Sequence, residues 1–189
     1  AEARAELSHY GEFGYLLVVP AGSAATVWER LEEAGAAHGL KPVGLDAHQG
    51  LRLDGRFFNV HAEGAAVRDP LPLGLQWMID LDGDGFRGRE AILARRAEGL
   101  KKKIIGVAPS AADGALQAGD VIVHDGETVA EGITAIHSPT LGHRIGLALF
   151  DVAYAYAGLE LEGADGRVIR TVSLPPFIPR SLTVKLDEM

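Results

Sequence analysis

The chain has 189 residues, a formal net charge of −8 and no cysteine, and 47% of its residues are hydrophobic. This length and apolar content suit one or two globular domains. The missing thiols exclude disulfide scaffolds and cysteine-ligated zinc or iron–sulfur centres. The acidic balance argues against a nucleic-acid partner. The apolar runs are far shorter than the ~20 residues that span a bilayer, and no signal-peptide pattern opens the chain, so we expect no membrane partner and a cytoplasmic location.

The first third of the chain predicts one strand and two helices. Residues 15–20 (YLLVVP) form a short run rich in valine and leucine between glycine and proline, which is typical of a buried strand. Residues 24–38 have apolar side chains at helical spacing, and Gly39 follows as a C-terminal glycine would. Residues 45–53 predict a second, shorter helix, on which His48 and Arg52 would share a face because they are four residues apart.

The middle of the chain predicts an irregular connection followed by short elements. Residues 54–75 contain several glycines and prolines and few strong formers of helix or strand, which marks a possible domain seam. Residues 77–81 then predict a strand, residues 90–98 a helix ended by Gly99, and residues 103–107 a further strand.

In the last ~90 residues, glycines separate short runs that are rich in β-branched residues, such as residues 121–123 and 168–172. Regularly spaced short strands with turn signals are typical of an antiparallel sheet that closes on itself. We therefore predict an α+β fold, with one domain over residues 1–84 and a small antiparallel C-terminal β-barrel over residues 85–189.

Two motifs suggest metal or nucleophile chemistry, and both favour a structural interpretation. Residues 80–91 (DLDGDGFRGREA) begin like a calcium-binding loop, but Arg87 and Ala91 occupy the positions of its aliphatic residue and its bidentate glutamate. A turn rich in aspartate and glycine is the better prediction. Ser138 precedes a proline and has no base at a spacing that sequence fixes, so it predicts a turn serine.

The seven histidines show neither the H-x-H nor the H-x-x-x-H spacing that places two imidazoles on one side of an element, so we predict no metal site. His48 is the exception of interest, because it shares a predicted helical face with Arg52. It could act as an acid, a base or an anion contact. The alternative is a polar residue on the exposed side of a short helix.

Five segments, taken in chain order, resemble segments of one known family. The FRGREAI and SPTLG segments are the strongest part of this resemblance. They are YGEFGYLLVVP (10–20), GLKPVGLDAHQGLRLDG (39–55), DPLPLGLQWMIDLDGDGFRGREAI (69–92), GITAIHSPTLGHRIGLALF (132–150) and PPFIP (175–179). Together they resemble the C-terminal half of the glycine-cleavage T-protein family, which includes tetrahydrofolate-dependent aminomethyltransferases and demethylases. The resemblance implies the end of an α/β folate-binding-type region followed by a C-terminal barrel. The family's catalytic aspartate lies in an N-terminal half that precedes these segments.

The resemblance also implies where a pterin ring would be held, and the residues there differ from the family's. The family's pterin glutamate and arginine correspond to Leu16 and His48, and an aromatic contact corresponds to Leu182. A further family glutamate is replaced by Pro72, whereas the second arginine of the family's segment is retained as Arg52.

A carboxylate accepts the adjacent N–H donors of a pterin in a charge-assisted, bidentate way, whereas leucine accepts nothing. Another acceptor, such as Glu12 or a group on a partner chain, would have to replace it. Histidine in place of arginine keeps a possible positive charge but loses the planar guanidinium group, which can donate two parallel hydrogen bonds. The predicted binding residues are therefore Glu12, Tyr15, His48 and Arg52, with His48 as the candidate catalytic group.

Three functions are consistent with this resemblance. In the first, the chain is one subunit of a split one-carbon transferase, completed by a second polypeptide that supplies the missing N-terminal half. That enzyme would demethylate a small methylated amine, ether or sulfonium and pass the carbon to tetrahydrofolate. In the second, folate is absent, and His48 with Tyr10 or Tyr15 transfers protons on an apolar or aromatic substrate. In the third, the chain is a non-catalytic scaffold subunit.

Overall fold

A computed structural model describes residues 2–7, 13–55, 57–83, 85–111, 115–139 and 141–173. The chain divides into two compact units, with the division between Phe57 and Phe58. We call the described residues up to Phe57 the N-terminal unit and those from Phe58 onward the C-terminal unit. The domain boundary after residue 84 stays a prediction.

The N-terminal unit contains a two-stranded antiparallel sheet and two helices. The elements are β1 (Glu2–Leu7), β2 (Phe13–Val18), α1 (Ala24–Gly35) and α2 (Leu45–Asp54). Short 3-10 turns at Ala21–Ser23 and Ala36–His38 flank α1. The predicted strand and both predicted helices are therefore present, whereas β1 was not predicted.

The end of α1 illustrates how local residues set these boundaries. The backbone at Gly39 is left-handed, with φ 75°, a conformation that glycine adopts without steric cost. The Leu40 N–H then donates to the Gly35 carbonyl at 3.0 Å, which satisfies an acceptor that the helix leaves open. The glycine predicted to end this helix does so.

The prediction that residues 15–20 form a buried strand was wrong about burial. Leu16 is 52% exposed and Val18 61% exposed. Within the described residues β2 pairs with β1 alone. Among the N-terminal side chains whose burial is described, which begin at residue 15, Leu53 is the one apolar side chain that is buried. The strand has the composition of a core strand, but the described part of its unit supplies no core to bury it.

The C-terminal unit begins with short elements and continues into the barrel. It contains α3 (Glu63–Val67), a 3-10 turn at Gln76–Met78 and α4 (Arg89–Glu98). The prediction of an irregular connection over residues 54–75 therefore missed α3. The predicted strand at residues 77–81 was wrong, because the Met78 and Ile79 N–H groups donate to the nearby carbonyls of Leu75 and Gln76 and close a turn instead.

Six antiparallel strands form a closed barrel in the order β3-β6-β5-β4-β7-β8. They are β3 (Lys102–Pro109), β4 (Val121–His124), β5 (Glu127–Ser138), β6 (His143–Asp151), β7 (Glu160–Gly163) and β8 (Val168–Val172). Closure pairs every strand on both sides, so the sheet has no edge strand. The α+β fold with a C-terminal antiparallel barrel is confirmed.

The barrel encloses the hydrophobic core of the C-terminal unit. Ile122, Phe150 and Ile169 come from three different strands and are fully buried, and Leu116 from the β3–β4 connection joins them. Along each strand, inward and outward side chains alternate, which is why β7 shows alternating exposed and buried residues. None of the helices in the described ranges is long and apolar enough to cross a membrane.

Replacing Phe150 by alanine will test how far this core determines stability. Because the ring is fully buried among core residues, Phe150→Ala should lower the free energy of unfolding by about 3–5 kcal/mol. Urea denaturation followed by circular dichroism measures the change. Val152→Ala, at a half-exposed valine after β6, is the control and should shift stability by less than about 0.5 kcal/mol. Equal losses in the two variants would contradict the assignment of the core.

Candidate functional site

The predicted site residues of the second helix lie on α2 in the N-terminal unit. The helix begins after Gly44, whose carbonyl accepts the His48 N–H at 3.1 Å. His48 is half-buried and Arg52 is 4% exposed. His48 and Arg52 are four residues apart, so they lie about one turn apart on the same face of the helix, as their spacing predicts. The helix therefore places an imidazole and a guanidinium one turn apart.

The Arg52 guanidinium takes part in the structure of this segment. Its Nε donates to Gln49 Oε1 at 2.9 Å, and its Nη1 donates to the Phe57 carbonyl at 2.6 Å. The Phe57 N–H in turn donates to the Arg52 carbonyl at 2.8 Å. These bonds hold the chain as it leaves α2, and charge-assisted bonds of this kind are the stronger ones. A contact from Arg52 to a ligand stays a prediction.

The other predicted site residues lie on β2 or outside the described residues. Tyr15 and Leu16 are adjacent on the strand, so their side chains point to opposite faces, and both are exposed. Glu12 and Leu182 lie outside the described residues. Their proposed binding roles stay predictions.

The described residues do not fit a pterin in the way that the resemblance implies. Leu16 provides only hydrocarbon at the position of the carboxylate, and His48 provides an imidazole at the position of the arginine fork. Buried ring N–H groups left without an acceptor cost about 1–3 kcal/mol each. Any reduced folate on this unit must therefore be held by other groups.

Pro72, at the position of a further family glutamate, has a structural role. It is buried, and its carbonyl accepts the Ile104 N–H of β3 at 2.9 Å. This bond fastens the segment before α4 to the first strand of the barrel. The position therefore contributes a backbone acceptor and no side-chain charge.

A buried carboxylate that the sequence did not reveal lies in the C-terminal unit. Glu63, the first residue of α3, is fully buried. Its Oε1 accepts the Thr134 hydroxyl at 2.5 Å, and its Oε2 accepts the Asn59 N–H at 2.5 Å. Thr134 follows a β-bulge in β5, a device that redirects a side chain. The contact joins residues 71 positions apart, so local sequence holds no signal for it beyond an acidic residue at a helix start.

The most concentrated charges of the barrel are likewise engaged with one another. Arg167 contacts Asp120 Oδ2 at 3.1 Å and Asp165 Oδ2 at 2.5 Å, and it donates to the Ala115 carbonyl at 2.6 Å. The hydrogen bond from Arg167 lowers the pKa of Asp165, and the same bond raises the pKa of Arg167. The cluster borders an open depression of about 250 Å³. Because one guanidinium joins two carboxylates and a loop carbonyl, it holds two turns together.

A second depression, of about 420 Å³, adjoins Arg144. The Arg144 guanidinium donates to the Leu116 carbonyl at 2.7 Å and to the Ala135 carbonyl at 3.4 Å. Its neighbours in the depression are small or neutral residues: Ala115, Gln117, Ala118 and Ala135. Within the described ranges, no group of three or more histidines and carboxylates could hold a metal ion.

The class of fold is defined by two features: an N-terminal unit with two helices and a β-hairpin, and a closed six-stranded barrel that follows it in the chain. The model of the GCVT N-terminal domain matches residues 4–83, and that of the glycine cleavage T-protein C-terminal barrel domain matches residues 102–178. The chain belongs to the glycine-cleavage T-protein family over these two ranges, which confirms the resemblance.

Relatives and a solved structure agree with this assignment. The chain is 35% identical over 152 residues to an aminomethyltransferase of Caldanaerobacter subterraneus subsp. tengcongensis, covering 80% of this chain and 40% of that protein. It is 35% identical over 153 residues to an aminomethyltransferase of Symbiobacterium thermophilum, with the same coverage. The crystal structure of glycine cleavage system aminomethyltransferase T from Bartonella henselae shares the fold, with a TM-score of 0.74 and 22% identity over 89% of this chain and 47% of that one. The chain thus spans about two-fifths of the length of these curated relatives.

Substitution of Thr134 will test the clamp between α3 and the barrel. Thr134→Val removes the hydroxyl that Glu63 Oε1 accepts, so the buried carboxylate loses a donor and stability should fall by about 1–3 kcal/mol. Thr134→Ser keeps the hydroxyl and should retain most of that stability. Urea unfolding measures both variants. A loss for serine with none for valine would show that the methyl group, and not the hydrogen bond, matters here.

Proposed function

We propose that this chain forms the C-terminal part of a T-protein-like one-carbon transferase that demethylates a small methylated substrate. The observation that supports this most is the match of both family domains in their usual order. The relatives that share this arrangement are named aminomethyltransferases. The chain matches only about 40% of their length, so the proposed enzyme needs further polypeptide to complete its site.

We propose that a second polypeptide supplies the missing N-terminal half, including the catalytic aspartate that the family resemblance implies. The described residues of this chain then bind and orient the substrate. His48 lies half-buried on α2, and Arg52 holds the chain that follows the helix. Orienting two reactants in a water-poor site is itself a large part of such catalysis.

Tetrahydrofolate is the proposed acceptor of the one-carbon group. When bound, it supplies the nitrogen chemistry, and the protein supplies binding and orientation. Because Leu16 cannot accept the pterin N–H groups, the acceptor must come from Glu12 or from the partner. An acceptor on the partner would make folate binding by the lone chain weaker than folate binding by the assembled enzyme, whereas an acceptor at Glu12 would make the two equal.

The function will be tested on the chain co-purified without a tag from its source. With the second polypeptide present, we expect methylated amines, ethers or sulfoniums to yield one-carbon derivatives of tetrahydrofolate, detected by mass spectrometry. Tetrahydrofolate at 100 times its dissociation constant should stabilise the assembled protein by about 2.7 kcal/mol, measured as a rise in melting temperature. An assembled complex that neither turns over any of these substrates nor responds to folate would contradict the proposal.

A second candidate function follows from the residues at positions 16 and 48. Leucine and histidine in place of glutamate and arginine make a less polar site, which suits an apolar or aromatic substrate. His48 would then transfer protons directly, a role that imidazole side chains commonly have in enzymes. In this case turnover would not depend on tetrahydrofolate.

Substitution of His48 separates the acid/base function from a scaffold role. His48→Ala should lower kcat of the assembled enzyme about 10²- to 10⁴-fold if the imidazole transfers protons. His38→Ala is the matched control, because His38 is an exposed histidine at the end of the α1 segment. Full activity of the His48 variant would exclude the acid/base role. An assembled complex whose turnover depends on no residue of this chain would establish the scaffold role.

A further inference from the structure

Arg144 of the barrel is a part-buried cation that no described carboxylate neutralises. Its guanidinium lies beside the depression of about 420 Å³. Other arginines of the chain, such as Arg30, Arg167 and Arg170, form ion pairs with carboxylates. Within the described ranges Arg144 forms none, and its contacts are hydrogen bonds to backbone carbonyls. A partly desolvated charge that lacks a counter-ion favours the binding of an anion.

The hydrogen bonds of Arg144 use one edge of its guanidinium and leave another edge open. Nε donates to the Leu116 carbonyl at 2.7 Å, and Nη2 donates to the Ala135 carbonyl at 3.4 Å. These nitrogens form the side edge of the planar group. The end edge, formed by Nη1 and the remaining N–H of Nη2, has no acceptor among the residues that the structure describes. Such an edge matches the paired oxygens of a carboxylate.

The fold holds this guanidinium in place before any ligand binds. Gly146 follows Arg144 on the same face of β6, and a Cβ atom there would lie 3.0 Å from Leu116 Cδ2. The absence of a side chain at Gly146 lets the β3–β4 connection approach the strand, which brings the Leu116 carbonyl within reach of Arg144. Because the two carbonyls already order the guanidinium, less conformational entropy is lost when an anion binds.

The rest of the depression suits a small acid with an apolar part. Ala115, Ala118 and Ala135 contribute methyl groups, and Gln117 contributes an amide. The Gln117 side chain is exposed and has no hydrogen bond to the described part of the chain. The described lining of the depression contains no acidic residue that would repel an anion. A cation and an amide therefore lie beside a small apolar surface.

We propose that Arg144 and Gln117 form a binding site for the carboxylate of a small organic acid, whose hydrocarbon part lies against Ala115 and Ala118. A carboxylate is favoured over a phosphate because the open guanidinium edge matches its paired oxygens, whereas a phosphate has more oxygens and more charge than one edge satisfies. The site consists of residues of the C-terminal unit. It does not depend on the proposed one-carbon transfer.

Titration of the 189-residue chain with butyrate, followed by heteronuclear NMR, tests the site. Butyrate has a carboxylate on a short hydrocarbon chain, and butyramide is its neutral counterpart. We expect butyrate to bind with a dissociation constant of about 1 mM or below, and butyramide to bind at least about tenfold more weakly because it lacks the charge. The Arg144 Nε–H and the amides of residues 115–118 should shift on titration. Equal affinities, or shifts confined to other parts of the chain, would overturn the proposal.

Substitutions separate recognition from folding. Arg144→Lys keeps the charge but loses the planar fork, and it should weaken butyrate binding at least about tenfold. Gln117→Ala removes an exposed amide, and it should weaken binding about threefold while leaving the melting temperature unchanged. Arg170→Gln on β8 is the matched control, because the Arg170 guanidinium is already paired with Glu160 at 2.5 Å. It should leave the affinity for butyrate unchanged.

The variants decide the proposal even where one of them fails to fold. Unchanged butyrate affinity in folded Arg144→Lys would overturn the site. If circular dichroism shows that Arg144→Lys is unfolded, Gln117→Ala decides by itself, and unchanged affinity in that variant would overturn the site.

Inorganic phosphate tests whether the site prefers a carboxylate. Phosphate should bind at least about tenfold more weakly than butyrate under the same conditions, because the single open edge satisfies it poorly. Phosphate binding that is as tight as butyrate binding would contradict the assignment to a carboxylate. These titrations require no turnover, so butyrate binding and one-carbon transfer can each fail without the other.

Discussion

The amount of apolar surface that each unit buries for itself is the constraint on which the rest of this structure depends. The barrel buries Ile122, Phe150 and Ile169 completely and closes its sheet, so it has a core and no free edge. The N-terminal unit, over the residues described, buries Leu53 and exposes Val18 and Trp28. A unit with so little buried apolar surface is marginal by itself. The two units therefore differ in how much of their stability the described residues account for.

Features set by neighbouring residues were predictable from the sequence. The periodicity of α1 and the glycine after it act within one or two turns, so the helix and its end could both be predicted. The barrel followed from the spacing of its strands and turns. The error at residues 77–81 has the same origin, because an apolar run can close a turn when its N–H groups find nearby carbonyls.

Features set by distant residues were not predictable. Whether residues 15–18 are buried depends on which layer covers them, and composition records only that they are apolar. The contact between Glu63 and Thr134 joins residues from α3 and β5 and depends on a bulge in the barrel. Within the candidate site, the shared face of His48 and Arg52 was predictable from their spacing. The bonds from Arg52 to Gln49 and Phe57 were not.

The charged groups of the barrel are engaged in holding its turns together. In the described part of the barrel, Arg167 joins Asp120 and Asp165, and Arg144 donates to loop carbonyls. Groups engaged in this way are costly to divert, because each withdrawn donor leaves a polar atom to be resolvated or left unpaired. The barrel is therefore suited to be a rigid support. Of the described positions where this chain departs from its family, Leu16 and His48 lie in the N-terminal unit and Pro72 lies in the C-terminal unit. Since fold alone does not determine function, membership of the family leaves open what replaces the carboxylate and the guanidinium at Leu16 and His48, and the substrate follows from that chemistry and not from the barrel.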